Sequence, residues 1–197
     1  MGTKSGFRYL KRRPKTLSGL IVALILTALS FALAKQDVPP RLAQTQNPGL
    51  YRVVEFSDGD TVSVDMNGTI EKVRFIGVDT PETHDPRKAV QCFGQAAAQY
   101  TKDLIGNQEI RLDADPTNQN RDRYNRLLRY VYLPDGRLVN AEIIKNGYGF
   151  AYVSFPFQKL EEFRALQVEA REQNRGLWNT CTPAANEFGG YTSNDQT

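Results

Sequence analysis

Three short runs of β-branched and aromatic residues, each bounded by turn residues, constrain the fold of this chain more than any other feature. They span residues 51–56, 61–66 and 70–76. Runs of this length and composition are typical of strands. Asn67 and Gly68 lie between the second and third runs, and an Asn-Gly pair in this position favours a two-residue hairpin. The sequence therefore predicts three consecutive strands, the last two joined directly.

The rest of the pattern adds two strands and three helices. Apolar residues recur at helical spacing over 92–105 and are followed by Gly106, which indicates a helix and its end. We expect further strands over 109–114 and 126–133, and helices over 140–146 and 158–173. Five short strands with helices after the third and the fifth predict an α+β fold. This fold is a small closed antiparallel barrel of the OB type with three helices.

Positive charge is concentrated at the N-terminal end. The formal net charge is +3, but the first 34 residues hold six basic residues and no acidic one, so the rest of the chain is mildly acidic. Residues 17–34 are apolar apart from Thr and Ser and end in Ala-Leu-Ala, which is typical of a signal peptide. A helix of this length would reach roughly 27 Å, close to a ~30 Å hydrocarbon core, so an uncleaved membrane anchor is the alternative. Both interpretations predict that everything after Ala34 is exported.

Composition also suggests the domain boundaries. Residues 1–34 are the export signal or anchor, and residues 35–49, rich in Pro, Gln and Asn, are a linker. The OB-type domain is expected over 50–180. Residues 181–197 have little apolar content and are expected to form a polar, disordered tail.

The chain contains one histidine and two cysteines, Cys92 and Cys181. These are too few for a structural zinc site with four Cys or His ligands, so we expect any bound metal to be held by oxygen. Export would place the cysteines in an oxidising compartment, where they can form one intramolecular disulfide. The alternative is two unrelated buried thiols.

Three short stretches concentrate the residues that could carry chemistry. They read Asp-Gly-Asp-Thr over 58–61, Arg-Phe-Ile-Gly-Val-Asp-Thr-Pro-Glu over 74–82 and Asp-Arg-Tyr-Asn-Arg over 122–126. Asp60 and Asp79 are expected at the ends of neighbouring strands, where both could bind one Ca²⁺ or Mg²⁺ ion. Asp58 is interpreted as an acid that supports these ligands. Taken singly, each residue is better explained by an ordinary turn.

In their order and spacing, the three stretches resemble those of the staphylococcal nuclease (thermonuclease) family, over about residues 51–178. The resemblance implies an OB-fold barrel with three helices and one Ca²⁺ ion. It also implies hydrolysis of DNA and RNA that leaves 3′-phosphate ends. The site residues that it implies are the metal ligands Asp60, Asp79 and the Thr80 carbonyl, the water-orienting or water-deprotonating Glu82, and the phosphate-binding Arg74 and Arg126.

Phosphodiester chemistry gives a reason for these residue types. Negative charge increases on the non-bridging oxygens as water adds, and guanidinium groups remain protonated and can bind such oxygens in pairs. A carboxylate such as Glu82 can act as general base, which typically contributes about 10² to 10⁴-fold in rate. Arg123, Tyr124 and Tyr152 are weaker candidates for substrate contacts, the alternative being a solvated arginine and half-buried tyrosines in a strand. Ser154 and Phe155 stand where the family commonly has a second tyrosine-type contact.

We interpret the chain as an exported, monomeric nuclease of relaxed sequence preference, which would touch a membrane only through an uncleaved N-terminal segment. One alternative is a non-catalytic OB-fold module that binds nucleic acid or protein. Another is a membrane-tethered structural domain. Arg74, Glu82 and both candidate metal-binding aspartates are present, and this favours the nuclease.

Overall fold

A computed structural model describes residues 49–83 and 89–195 of the 197-residue chain. The predicted export segment, most of the predicted linker and His84 lie outside the described residues. Within them, no helix is both long enough and apolar enough to cross a bilayer.

The described elements alternate strands and helices much as expected. The strands are β1 (Leu50–Asp58), β2 (Thr61–Met66), β3 (Thr69–Phe75), β4 (Val78–Asp79), β5 (Glu109–Asp113), β6 (Leu127–Tyr132), β7 (Phe150–Ala151), β8 (Ala184–Ala185) and β9 (Tyr191–Thr192). The helices are α1 (Gly94–Ile105), α2 (Val139–Lys145), α3 (Leu160–Glu172) and the single turn α4 (Leu177–Thr180). The predicted α+β architecture, a five-stranded OB-type barrel with helices, is confirmed.

The barrel closes in the order β1-β2-β3-β6-β5, and β5 pairs back to β1. Its pairs are antiparallel except for β3 and β6, which run parallel with Val73 opposite Leu127. The expectation of a wholly antiparallel barrel is therefore wrong at this seam. Strand directions cannot alternate all the way around a ring of five, so one neighbouring pair must point the same way.

The hairpin between β2 and β3 has the predicted two-residue turn. Asn67 and Gly68 both have positive φ, 56° and 90°, as a type I′ turn requires. The Asp65 carboxylate accepts a hydrogen bond from the Gly68 amide at 2.7 Å. The turn thereby fixes the register in which Met66 lies opposite Thr69.

The core fills the barrel and continues beneath the helices. Val62, Val64 and Val73 are completely buried inside the ring, and Ile143 of α2 and Phe163 of α3 are completely buried in the same cluster. Packing of this kind fixes the strand ends rigidly, because interiors at crystal-like density leave little room for adjustment. The strand ends at the rim carry the candidate site.

The polar C-terminal segment is ordered over residues 182–195, so the expectation of disorder is wrong there. Strands β8 and β9 pair antiparallel as a hairpin, and the Tyr191 ring packs 5.1 Å from that of Trp178. Cys92 and Cys181 form a disulfide with their Cα atoms 6.0 Å apart. The contact between Tyr191 and Trp178 and the disulfide therefore order a segment that has little apolar content of its own.

Candidate active site

The strand register brings the first two acidic and basic stretches together. Asp60 immediately precedes β2, and Thr61, the first residue of β2, lies opposite Arg74 on β3. Asp79 follows on β4, which the chain reaches through Gly77. Gly77 has a φ of 71°, and a Cβ atom there would lie 2.5 Å from the Phe157 ring. This turn therefore needs glycine, and it directs the chain back toward Asp60.

Arg74 joins the two aspartates directly. Its Nη2 atom lies 3.1 Å from Oδ2 of Asp60 and 3.3 Å from Oδ1 of Asp79. Its Nη1 atom donates to the carbonyl oxygens of Phe75 at 3.0 Å and Val78 at 2.6 Å. Burial opposes the charged form of Arg74, but the surrounding carboxylates outweigh it and raise the pKa of the guanidinium above its ordinary value. The side chain is a fixed cation in a largely buried position.

Asp60 is held from several sides. Its Oδ2 atom accepts a hydrogen bond from the Thr80 amide at 2.9 Å, and its Oδ1 atom accepts one from the Thr61 hydroxyl at 2.9 Å. Gly59 allows this close approach, because a Cβ atom there would lie 2.8 Å from Cγ2 of Thr80. The predicted ligands Asp60, Asp79 and Thr80 are thus near neighbours.

The donor set suits a hard cation. Both carboxylates converge on one nitrogen of Arg74, and the Thr80 backbone is hydrogen-bonded to one of them. Across residues 49–83 and 89–195, no group of three or more His, Cys, Asp or Glu side chains is arranged to hold a metal ion. Two carboxylates with a backbone carbonyl fit a cation such as Ca²⁺ or Mg²⁺, which takes oxygen ligands and commonly retains water.

Asp58 lies behind this set. Its Oδ1 atom accepts a hydrogen bond from the Asp60 amide at 3.1 Å. Burial and, after it, the adjacent charge of Asp60 together raise the pKa of Asp58 to about 7, against the opposing charge of Arg74. Asp58 therefore supports the site through the backbone of Asp60.

Glu82 follows β4 at the start of a loop, and hydrogen bonds join it to Gln91 at the end of that loop. Its amide donates to Oε1 of Gln91 at 2.8 Å, and its carbonyl accepts from the Gln91 amide at 2.9 Å. Its own Oε1 atom accepts from the Thr83 amide at 2.9 Å. The backbone of Glu82 is thus fixed by Gln91.

The third stretch forms a turn anchored by Asp122. The Asp122 carboxylate accepts from the amides of Tyr124 and Arg126, both at 2.9 Å, and from Nε of Arg126 at 2.7 Å. Burial acts to raise the pKa of Asp122, but the hydrogen bonds and charge of Arg126 outweigh it and lower the pKa. The ion pair holds the Arg126 guanidinium at its Nε end.

A cavity of about 670 Å³ is lined by residues of the second and third stretches. Six predicted site residues line it: Arg74, Asp79, Arg123, Tyr124, Arg126 and Tyr152. The guanidinium carbons of Arg123 and Arg126 lie 4.8 and 5.4 Å from the centre of the exposed Tyr124 ring. The other predicted site residues, Asp58, Asp60, Thr80 and Glu82, lie outside the cavity lining.

Neither Arg121 nor Gln91 stands out as a site residue in the sequence, and the packing of Phe155 is not predictable from it. Arg121 lines the cavity and pairs with both oxygens of Glu71, at 2.8 and 2.9 Å. Phe155 also lines the cavity, and its ring packs edge-on to Tyr152 at 5.3 Å. Arg121 could have been noticed as the start of a cluster of three arginines over 121–126. A lone glutamine such as Gln91 gives no comparable signal.

Comparison with known proteins agrees with this geometry. A family model described as staphylococcal nuclease homologue matches residues 72–180. A thermonuclease of Staphylococcus intermedius is 37% identical over 168 residues, which are 83% of this chain and 96% of the relative. A thermonuclease of Staphylococcus hyicus is 34% identical over 169 residues, 84% of this chain and 98% of the relative. Endonuclease YncB of Bacillus subtilis is 39% identical over 124 residues, 62% of this chain and 58% of the relative.

Proposed function

Because the chain belongs to the staphylococcal nuclease family and is a nuclease, we propose that it is an exported, Ca²⁺-dependent enzyme that hydrolyses both DNA and RNA and leaves 3′-phosphate ends. The observation that carries the proposal is the position of Arg74. This guanidinium touches Asp60 and Asp79 and lines the same cavity as Arg126. Two arginines that line one cavity suit an anionic substrate that gains charge during the reaction.

In the proposed reaction, Arg74 and Arg126 bind the non-bridging oxygens of the scissile phosphate and stabilise their increasing charge. Glu82 accepts a proton from the attacking water. The P–O5′ bond breaks, so the phosphate stays on the 3′ oxygen, and the leaving O5′ takes a proton from solvent water and is released as a 5′ hydroxyl. When bound by Asp60, Asp79 and the Thr80 carbonyl, Ca²⁺ would supply Lewis-acid polarisation.

The cavity wall supports relaxed sequence preference. Tyr124 is 61% exposed and Tyr152 is 38% exposed, and both line the cavity with Arg123. Aromatic faces stack on any base, and arginines follow the backbone phosphates whatever the sequence. The mildly acidic body of the chain suits a short footprint on one exposed strand.

The cellular setting is proposed from the sequence. Residues 1–34 direct export, so the catalytic domain works outside the cytoplasm. It acts there as a monomer. It contacts a membrane only if this N-terminal segment is retained. N-terminal sequencing of the exported protein tests this part, and a mature chain that begins near Lys35 would identify a cleaved signal peptide.

The reaction is tested by incubating the purified protein with plasmid DNA and with RNA, in Ca²⁺ or in a chelator. We expect cleavage of both substrates only with Ca²⁺, with products that phosphatase treatment converts to 3′ hydroxyls. Glu82→Gln and Arg126→Ala should lose most of the activity while remaining folded. Binding without cleavage would instead indicate a non-catalytic module.

A further inference from the structure

The C-terminal segment, residues 182–195, lies against the loop that carries Glu82. We propose that Gln91 is a positioning residue for Glu82 and that the C-terminal segment and the Cys92–Cys181 disulfide hold Gln91 in place. The inference rests on the proposed role of Glu82 and adds a residue and a segment to it.

Gln91 forms hydrogen bonds with both the backbone amide and the backbone carbonyl of Glu82. Its side-chain Oε1 atom accepts from the Glu82 amide at 2.8 Å, and its own amide donates to the Glu82 carbonyl at 2.9 Å. The backbone donor and acceptor of Glu82 are therefore both committed to one residue. A general base must keep its distance to the reacting water, because an error of about 1 Å can cost on the order of 10² in rate.

The C-terminal segment fixes Gln91 and the residue beside it. The Nε2 atom of Gln91 lies 3.4 Å from the Ser193 carbonyl oxygen, and Gln91 forms a β-bridge with Asp195. Cys92 donates its amide to the Asn194 carbonyl at 2.8 Å and accepts from the Ser193 hydroxyl at 2.9 Å. Residues 193–195 thus pair with residues 91–92 almost as an added strand.

The disulfide makes this arrangement covalent. It joins Cys92, next to Gln91, to Cys181, the residue immediately before the C-terminal segment. Both cysteines belong to a second apolar cluster with Phe150, Trp178 and Tyr191. Gln91 pairs with Asp195 and is followed directly by the disulfide-bonded Cys92, so it has little freedom to move.

The first residue of helix α1 also packs against the backbone at Glu82. A Cβ atom on Gly94 would lie 2.9 Å from the Glu82 carbonyl oxygen and 3.2 Å from that of Pro81. The first turn of α1 therefore packs directly on the backbone that carries Glu82. Movement of residues 91–94 would move Glu82 with it.

Gln91→Ala tests the inference directly. On a plasmid substrate with Ca²⁺ we expect kcat to fall on the order of 10- to 100-fold. KM should change less than about twofold, because the arginines that bind the substrate are untouched. Gln99→Ala is the matched control, since Gln99 lies on the exposed side of α1 and contacts Asp103. It should match the wild type.

A double-mutant cycle separates positioning from general stability. If Gln91 acts through Glu82, Gln91→Ala should reduce kcat no further in a Glu82→Gln background. Multiplying losses, or a wild-type kcat for Gln91→Ala, would overturn the inference. Glu82→Gln alone tests the proposed function: if it keeps full activity, the role of Glu82 fails and the inference fails with it.

The contribution of the C-terminal segment is measured by amide hydrogen exchange in the protein with both Cys92→Ala and Cys181→Ala. This measurement also serves if Gln91→Ala does not fold. We expect faster exchange at the Glu82 amide, about a tenfold or larger change, together with a lower kcat. Unchanged protection and unchanged kcat would show that the disulfide does not hold Gln91.

Discussion

A single nitrogen atom of Arg74 serves both carboxylates of the site. Each of its two terminal nitrogens has its own partners, the aspartates on one side and two backbone carbonyls on the other. Only a planar fork with two terminal nitrogens can satisfy this geometry. A lysine has a single donor centre and cannot replace it.

Arg74→Lys should therefore reduce activity although it keeps the charge. We expect kcat to fall about 10² to 10³-fold, the usual loss when a preorganised donor to the transition state is removed. The measurement is steady-state cleavage, with thermal unfolding as a check on folding. Arg164→Lys, on the exposed face of α3 beside Glu161, should change neither property. Equal activity of Arg74→Lys and wild type would contradict the role of the fork.

The buried Asp115 connects the loop after β5, which lines the cavity through Thr117, to strand β6 of the barrel. Its carboxylate accepts from the Tyr130 hydroxyl at 2.5 Å and from the amides of Thr117 and Gln158, both at 2.7 Å. Burial acts to raise the pKa of Asp115, but these hydrogen bonds outweigh it and lower the pKa below the ordinary 3.8.

The lowered pKa of Asp115 predicts a pH dependence of stability. The ionised form stabilises the fold fully above the unfolded-state value of 3.8, and this stabilisation is lost as the pH falls through the lower folded-state pKa. Urea unfolding from pH 7 to about pH 3 should show the loss. Asp115→Asn should cost about 1–3 kcal/mol at pH 7 and flatten the acid limb. Asp103→Asn, on exposed α1, should leave the curve unchanged.

The sequence predicted the residue types of the site better than their contacts. Three compact stretches singled out Asp60, Arg74 and Arg126 as candidates. The double pairing of Arg74 depends on the register of β2 with β3 and on the turn at Gly77, which lie beyond any single stretch. Gln91 was missed because its role comes from long-range partners rather than from local spacing.

Two glycines show how differently turns are constrained. Gly68, in the β2–β3 hairpin, has a φ of 90° with no atom within 4 Å of an added Cβ. Gly77, between β3 and β4, has a φ of 71° and would bring a Cβ to 2.5 Å from Phe157 and 2.9 Å from Phe163. Gly68 is needed only for its positive φ, whereas Gly77 is needed for its positive φ and because no side chain fits there.

Alanine at the two positions should therefore have unequal effects. Gly68→Ala should lower the free energy of unfolding by about 1–2 kcal/mol, the cost of a left-handed backbone. Gly77→Ala should lower the free energy of unfolding by the same backbone cost and by about 1–3 kcal/mol more from overpacking. It should also lower activity, because Gly77 sets the path from Arg74 to Asp79. Chemical denaturation and cleavage assays measure both. Equal losses in stability would contradict the contact with Phe157.

At the level of elements, most positions were predictable and some boundaries were not. The strand over 61–66 was predicted at its observed bounds, whereas α1 begins at Gly94 because Phe93 has a φ of 72°. The single-turn helix α4 was not predicted, since one turn is too short to show a periodicity. The order of the C-terminal segment depends on contacts with residues 91–92 and Trp178 that no local pattern reveals.

The disulfide joins parts of the chain 89 residues apart. Removing it should destabilise the whole molecule by up to about 4–5 kcal/mol, because the unfolded chain regains the freedom that the closed loop denied it. Thermal unfolding with and without a reductant measures the difference. Reduced and oxidised proteins with the same melting temperature would contradict the expected loss.

The closed ring of strands has a consequence for how this protein is made. Ribosomes deliver the N-terminal strands first, yet β3 acquires its second neighbour only when Leu127–Tyr132 has appeared. Until then the incomplete sheet exposes unpaired strand edges, the feature through which chains aggregate. Once β6 is inserted, the barrel offers no edge to a neighbouring molecule.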